Sequence, residues 1–230
     1  MHVVGRARNC RNWVVVLLAA GATAAWAAIP VPPRARGVLT QNCDSCTFAI
    51  VAGSAPYHVG LGVRRVSSGG RIAESLRVFR TDRAGTVQVL PVHGATAISD
   101  ADEFYVGVSD IDFDGCNDLF FATSRGAANT SGDYWLFRPA DQKFIYLGVG
   151  PKFKVDQTRR LLVAFERGGD AGMVYRKDCY RVVDGALIQL SSEQQEATGR
   201  EGVYRKRYYR RAGGRLRLVK TETVNSSDWK

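Results

Sequence analysis

Four aspartates and a glycine within nine residues carry the clearest chemistry in the chain. Asp110, Asp112, Asp114 and Asp118 stand at positions 1, 3, 5 and 9 of a loop whose sixth position is Gly115. Carboxylates at that spacing let a short loop close around a hard cation, and the expected ion is Ca²⁺, which takes about six to eight oxygens. The Cys116 carbonyl, at position 7, would face the same centre. The expected ligand set is therefore Asp110, Asp112, Asp114, Cys116 and Asp118. Mg²⁺ fits less well, because it keeps several waters and few carboxylates. An Asp-rich turn is the simpler alternative, since Asp and Gly form turns without any ion. Four carboxylates exceed what a turn needs, and they repel one another unless protons or a cation neutralise them.

The loop is not an EF-hand. Position 12 is Phe121 rather than a bidentate glutamate, and the flanks 104–108 and 119–123 read as strands, not helices. A strand–loop–strand with this pattern resembles the calcium loops of FG-GAP-type repeats. No histidine or second metal motif lies nearby to give an activated water, so the ion is expected to brace the fold.

The rest of the chain offers no catalytic set. Only His58 and His93 follow the N-terminal segment, and neither sits in a triad pattern. No GxSxG elbow, HExxH helix or phosphate-binding Gly-rich loop is present. Asp102 and Glu103 are adjacent, so on a strand they would face opposite sides. The chain is expected not to be an enzyme.

Residues 1–28 have the form of a signal peptide: Arg6, Arg8 and Arg11, then an apolar run from Trp13 to Trp26, then small residues at a cleavage point. Export to the periplasm is the expectation, with no membrane anchor after cleavage. The formal charge of +10 falls to +7 without those three arginines. Residues 29–42, with Ile29-Pro-Val-Pro-Pro33, read as an extended N-terminal segment. A single β domain over 43–224 and a flexible tail at 225–230 complete the partition. Four cysteines would remain in the exported chain: Cys43, Cys46, Cys116 and Cys179. An even count in an exported protein suggests disulfides. The preferred pairing is Cys43 with Cys46 and Cys116 with Cys179, although Cys43-x-x-Cys46 alone could also be a redox or zinc motif.

These residues must be positioned by strands. Short β-rich runs recur with turn signals between them, which predicts an all-β antiparallel β-sandwich. The expected strands are 47–51, 58–66, 76–80, 86–90, 104–108, 119–123, 134–138, 143–147, 161–166, 174–183, 186–190, 203–210 and 215–224. One short helix is expected at 191–198, where Ser192 and Gln195 have the spacing of a capping box. The last two strands make a basic hairpin about Gly213-Gly214, with arginines and lysines interleaved with tyrosines. Its plain reading is a solvated face that discourages edge pairing; an acidic protein surface or an anionic envelope polymer is the functional one, and the export signal disfavours nucleic acid.

One longer stretch then reads as a unit. It comprises Val108 to Leu119, Gly126-Ala-Ala-Asn129, Tyr134-Trp-Leu-Phe-Arg-Pro139, Lys143-Phe-Ile-Tyr146, Val163 to Gly169 and Tyr180 to Leu190. It resembles a family of exported Gram-negative proteins of the kind found in Xanthomonas. Some of these are similar to periplasmic inhibitors of invertebrate-type lysozyme, and some are immunity proteins against peptidoglycan hydrolases delivered by type IV secretion systems. Asp112 stands where the family pattern has Asn, and Cys116 where it has an aromatic residue.

The resemblance implies a calcium-stabilised sandwich that occludes the active site of a lysozyme-like peptidoglycan hydrolase by inserting a loop. The candidate loops are 125–134 and 167–175, with Asn129, Ser131, Tyr134, Arg167, Asp170 and Tyr175 as partner-binding residues. A Tyr hydroxyl or Arg guanidinium there could hydrogen-bond a catalytic carboxylate. The alternatives are a calcium-binding envelope or adhesion module without an enzyme target, and an envelope enzyme with an unrecognised site.

Overall fold

The computed structural model describes residues 39–42, 45–50, 56–67, 69–82, 84, 86–95, 97–99, 102–126 and 129–228. The expected signal peptide and Cys43 lie outside them. The first strand is β1 (Leu39–Asn42). Strands β2 (Ser45–Phe48), β3 (Tyr57–Arg65), β4 (Arg71–Arg80) and β5 (Thr86–Pro91) then form a four-stranded antiparallel meander. Next come β6 (Tyr105–Ser109), β7 (Asp118–Arg125), β8 (Thr130–Arg138) and β9 (Lys143–Pro151). With β1 pairing β6 at one edge, they make a five-stranded sheet in the order β1-β6-β7-β8-β9. The remaining strands are β10 (Phe153–Asp156), β11 (Leu161–Arg167), β12 (Tyr175–Val183), β13 (Ala186–Ala197), β14 (Val203–Ala212) and β15 (Arg215–Asn225). They run in sequence order as a six-stranded sheet. The fold is all-β, as expected, but it has three antiparallel sheets.

The five-stranded sheet is buried on both faces, which explains its continuous apolar runs. Along β7 and β8 successive side chains alternate between two cores. Leu119, Phe121, Trp135 and Phe137 face the four-stranded sheet and pack with Val59, Leu76, Val78 and Leu90. Phe120, Ala122, Tyr134 and Leu136 face the other way, onto Phe153, Leu162 and Ala164 of the six-stranded sheet. A side chain closes one margin of the sandwich: the Gln88 amide donates to the Phe144 carbonyl at 2.7 Å and accepts the Phe144 N–H at 2.8 Å. That pair of bonds imitates a β ladder between β5 and β9.

Three sequence expectations need correction. Residues 191–198 are not a helix; Ser191 to Ala197 belong to β13, paired with β12 on one side and β14 on the other. Ser192 and Gln195 are buried, and the Gln195 side chain donates to the Met173 carbonyl at 2.8 Å. The polar pair that reads as a cap is an internal link of the sheet. Residues 39–42 of the expected extended segment are a sheet strand, with Leu39 opposite Val108 and Asn42 opposite Tyr105. The tail does not begin loose: Ser226–Asp228 forms a 3-10 turn whose Ser226 N–H bonds the Gly202 carbonyl.

Gly132 is required by the approach of β7 to β8 at a bulge. A Cβ there would lie 1.9 Å from the Phe121 carbonyl oxygen, and neither strand can yield because both faces are packed. Gly132→Ala is expected to destabilise the protein by several kcal/mol, on the order of a severe overpacking change. Chemical denaturation of Gly132→Ala beside Gly150→Ala, whose added Cβ would meet only ordinary contacts at 3.4 Å and beyond, checks the contrast.

Candidate metal centre and partner surface

The aspartate loop links β6 to β7, so it sits between strands as its sequence predicts. Its alternation has a direct structural meaning. Ile111 and Phe113 are buried in the core between the five- and six-stranded sheets, while Cys116 is buried in the core on the opposite side. The aspartates between them turn away from both cores. Phe113 and Gly115 adopt positive φ, 63° and 94°, which curls the chain tightly enough to gather the carboxylates.

Carboxylate oxygens of Asp110, Asp112 and Asp118 all lie within 4.8 Å of one another. Backbone N–H groups hold them. Asp110 accepts from Asp114 at 3.1 Å and Gly115 at 3.0 Å, and Asp112 accepts from Asp114 at 3.1 Å. Asp118, 2 % exposed, accepts from Ile111 and from Phe137 of β8, both at 2.8 Å. Asp114 stands outside this trio, and one of its oxygens takes the Cys116 N–H at 2.7 Å.

Burial pushes the Asp110 carboxyl up to about 6 and Asp114 to about 7, with neighbouring carboxylates adding to the effect. Burial raises Asp112 too, and carries Asp118 well above the ordinary range. The backbone donors oppose these shifts but do not cancel them. Such a cluster ionises fully only when a positive charge enters it. Three convergent carboxylates in a curled loop could hold a hard cation.

The cysteines do not follow the expected pairing. Cys179, on β12, is a free thiol, so Cys116–Cys179 does not form. The Cys43–Cys46 pairing falls outside the described side chains.

The two expected partner-binding loops meet. The Asn129 side chain donates to the Arg167 carbonyl at 3.3 Å and accepts the Arg167 N–H at 3.0 Å. Beside this cross-link lies a groove of about 610 Å³ lined by Asn129, Ser131, Lys152, Phe165 and Glu166 among others. The Arg167 side chain is exposed at its rim. Other expected contacts are spent internally. Tyr134 is 3 % exposed, packs between Phe120 and Phe153, and donates its hydroxyl to the Pro151 carbonyl, so it cannot meet a partner. Tyr175 is buried and donates to Glu193, and Asp170 accepts the Tyr204 hydroxyl.

Sequence reading passed over Asp133. This carboxylate has no exposed surface; it accepts the His93 N–H at 2.6 Å and the Tyr146 hydroxyl at 2.9 Å. It fastens the segment after β5 to β8 and β9. The other histidine, His58, pairs with Thr47. Among the described residues no helix is long and apolar enough to cross a membrane.

No protein-family model matches this chain, and no curated protein matches it. A solved structure, described as a Xanthomonas Type IV Secretion System related protein, is similar in fold with a TM-score of 0.55. The likeness covers 79 % of this chain and 98 % of that one at 16 % identity, a level at which it shows a shared fold.

Asp118 has the most to lose by substitution. Asp118→Ala strands the Ile111 and Phe137 N–H groups in the core, at a cost of about 2–5 kcal/mol. Asp118→Asn keeps one acceptor and is expected to cost less than half of that. Urea unfolding of both variants in chelator checks the order, which reverses if the carboxylate itself is needed without any ion.

Proposed function

We propose that this chain is a periplasmic, calcium-stabilised protein of the immunity type that inhibits a lysozyme-like peptidoglycan hydrolase. The observation that carries the binding reading is the Asn129–Arg167 cross-link. It gathers two loops, nominated separately by sequence, into one rim beside a groove. In this reading the exposed Arg167 guanidinium reaches a catalytic carboxylate of the hydrolase, and the rim covers the cleft. The chain's excess of basic residues favours association with a carboxylate-lined cleft. The fold likeness to a type IV secretion related protein supports a secretion-associated setting.

Ca²⁺ is the proposed ion, held by Asp110, Asp112 and Asp118, and it would supply positive charge rather than chemistry. Cys116 is wholly buried and is not a free thiol, and Asn117 beside it bonds the Ala49 and Ile50 carbonyls.

The metal reading has a signed pH dependence. The loop carboxyls have raised pKa values in the folded state, so in chelator their contribution to stability is complete below about pH 4 and is lost as pH rises through 6 to 7. Ca²⁺ is expected to abolish that loss and to raise the melting temperature at pH 7 by several degrees. Asp112→Asn should stabilise the chelated protein and remove most of the Ca²⁺ response. Melting curves that do not respond to Ca²⁺ in either protein would leave the loop as a turn.

For the inhibitor reading, the exported chain is expected to slow cell-wall lysis by at least one class of lysozyme in a turbidity assay, at stoichiometric ratio. Arg167→Ala should weaken inhibition about tenfold or more, as loss of a charged hydrogen bond does, with no change in melting temperature. Failure to slow any lysozyme class, together with no hydrolase captured from envelope and secreted fractions, sinks it.

A further inference from the structure

The hairpin β14–β15 lies at the outer margin of the six-stranded sheet, and its end stands clear of that sheet. The pairing of β13 with β14 stops at Ser191↔Arg210, whereas β14 and β15 pair on to Ala212↔Arg215 around Gly213-Gly214. Residues 202–221 contain eight lysines and arginines and not one carboxylate. Three of these cations are neutralised nearer the base of the hairpin: Lys206 by Glu193, Arg207 by Glu196 and Lys220 by Glu222. At the tip, Arg210, Arg211, Arg215 and Arg217 are all exposed and make no ion pair among the described residues, and Arg211 donates to the Gln189 carbonyl at 3.2 Å. Beside them a bulge opposite Tyr208 and Tyr209 leaves Leu218 53 % and Val219 55 % exposed.

We propose that this tip docks the protein on an anionic phospholipid surface. One feature favours a surface over a polymer strand. Arg210 stands opposite Arg217 in the ladder, so Arg210, Arg215 and Arg217 share one face of the tip, while Arg211, opposite Leu216, lies on the other face with Leu218. A single-stranded polyanion would use the arginines alone. Leu218 and Val219 add exposed apolar area next to the charge, and interfacial binding draws on both. The arginine stems are long enough to lie along the headgroups while those two side chains enter the acyl boundary. The contact involves neither the groove nor the aspartate loop, so it stands apart from the inhibitor reading.

The test is sedimentation of the exported chain with vesicles of phosphatidylglycerol mixed with phosphatidylcholine, and with phosphatidylcholine alone. Binding is expected only to the mixed vesicles, and to weaken as salt rises. Each arginine near the surface contributes about fivefold, so changing all four to Gln should weaken binding several hundredfold. Leu218→Ser combined with Val219→Ser should weaken vesicle binding severalfold while leaving retention on a soluble polyanion, heparin, unchanged. All variants should keep the parent melting temperature. No binding to mixed vesicles, or equal binding to neutral ones, overturns the proposal. So does a Leu218/Val219 variant that binds vesicles like the parent, which would point to a charged polymer instead.

Discussion

A buried carboxylate ties this molecule together. Asp118 opens β7, and its two oxygens accept the N–H of Ile111 in the loop before it and of Phe137 on β8. Around that point the loop reaches every sheet. Ile111 and Phe113 enter one core and Cys116 the other. Asn117 bonds the chain beyond β2, and Arg160, in the turn between β10 and β11, donates to the Phe113 carbonyl at 2.7 Å. An ionised carboxylate this far from water is costly unless charge or hydrogen bonds compensate it. Two N–H donors compensate it in part, and burial still holds its pKa well above the ordinary range.

The convergence of Asp110, Asp112 and Asp118 was legible in the sequence because carboxylate spacing within a loop is local. The loop's architecture was legible only in part. The alternation Asp-Ile-Asp-Phe-Asp announces carboxylates on one side and apolar residues on the other, yet it does not say that Cys116, three residues after Phe113, enters the opposite core. The runs 119–122 and 134–137 mark strands, and their lack of alternation reflects a sheet covered on both faces. The false helix at 191–198 arose from Ser192 and Gln195, whose spacing imitates a cap; pairing with β12 and β14 overrode it. Strand β10 is too short to stand out, and β1 is a strand only because β6 accepts it across more than sixty residues.

The partner surface shows the same division. Sequence resemblance nominated loops 125–134 and 167–175 separately, and only the structure reveals that Asn129 binds Arg167. Tyr134 looked like a loop-end aromatic available for recognition. It lies instead in the doubly covered sheet, where its ring fills a core and its hydroxyl serves Pro151 and Phe153. Asp133 gave no signal, because nothing in its neighbourhood hints that β5 will deliver His93 to it. The structure thus divides into a charged loop that touches both cores, a rim fixed by one amide, and a basic hairpin that shares no residue with either.

The central claim is that the loop carboxylates reach their full bonding strength only when a divalent cation balances them. Amide hydrogen exchange at Ile111 and Phe137, measured at pH 7 in Ca²⁺ and in chelator, tests it most directly, because both N–H groups end on Asp118. The account predicts markedly slower exchange at these two amides in Ca²⁺, with amides of the β14–β15 hairpin unaffected. Equal protection with and without the ion would contradict it.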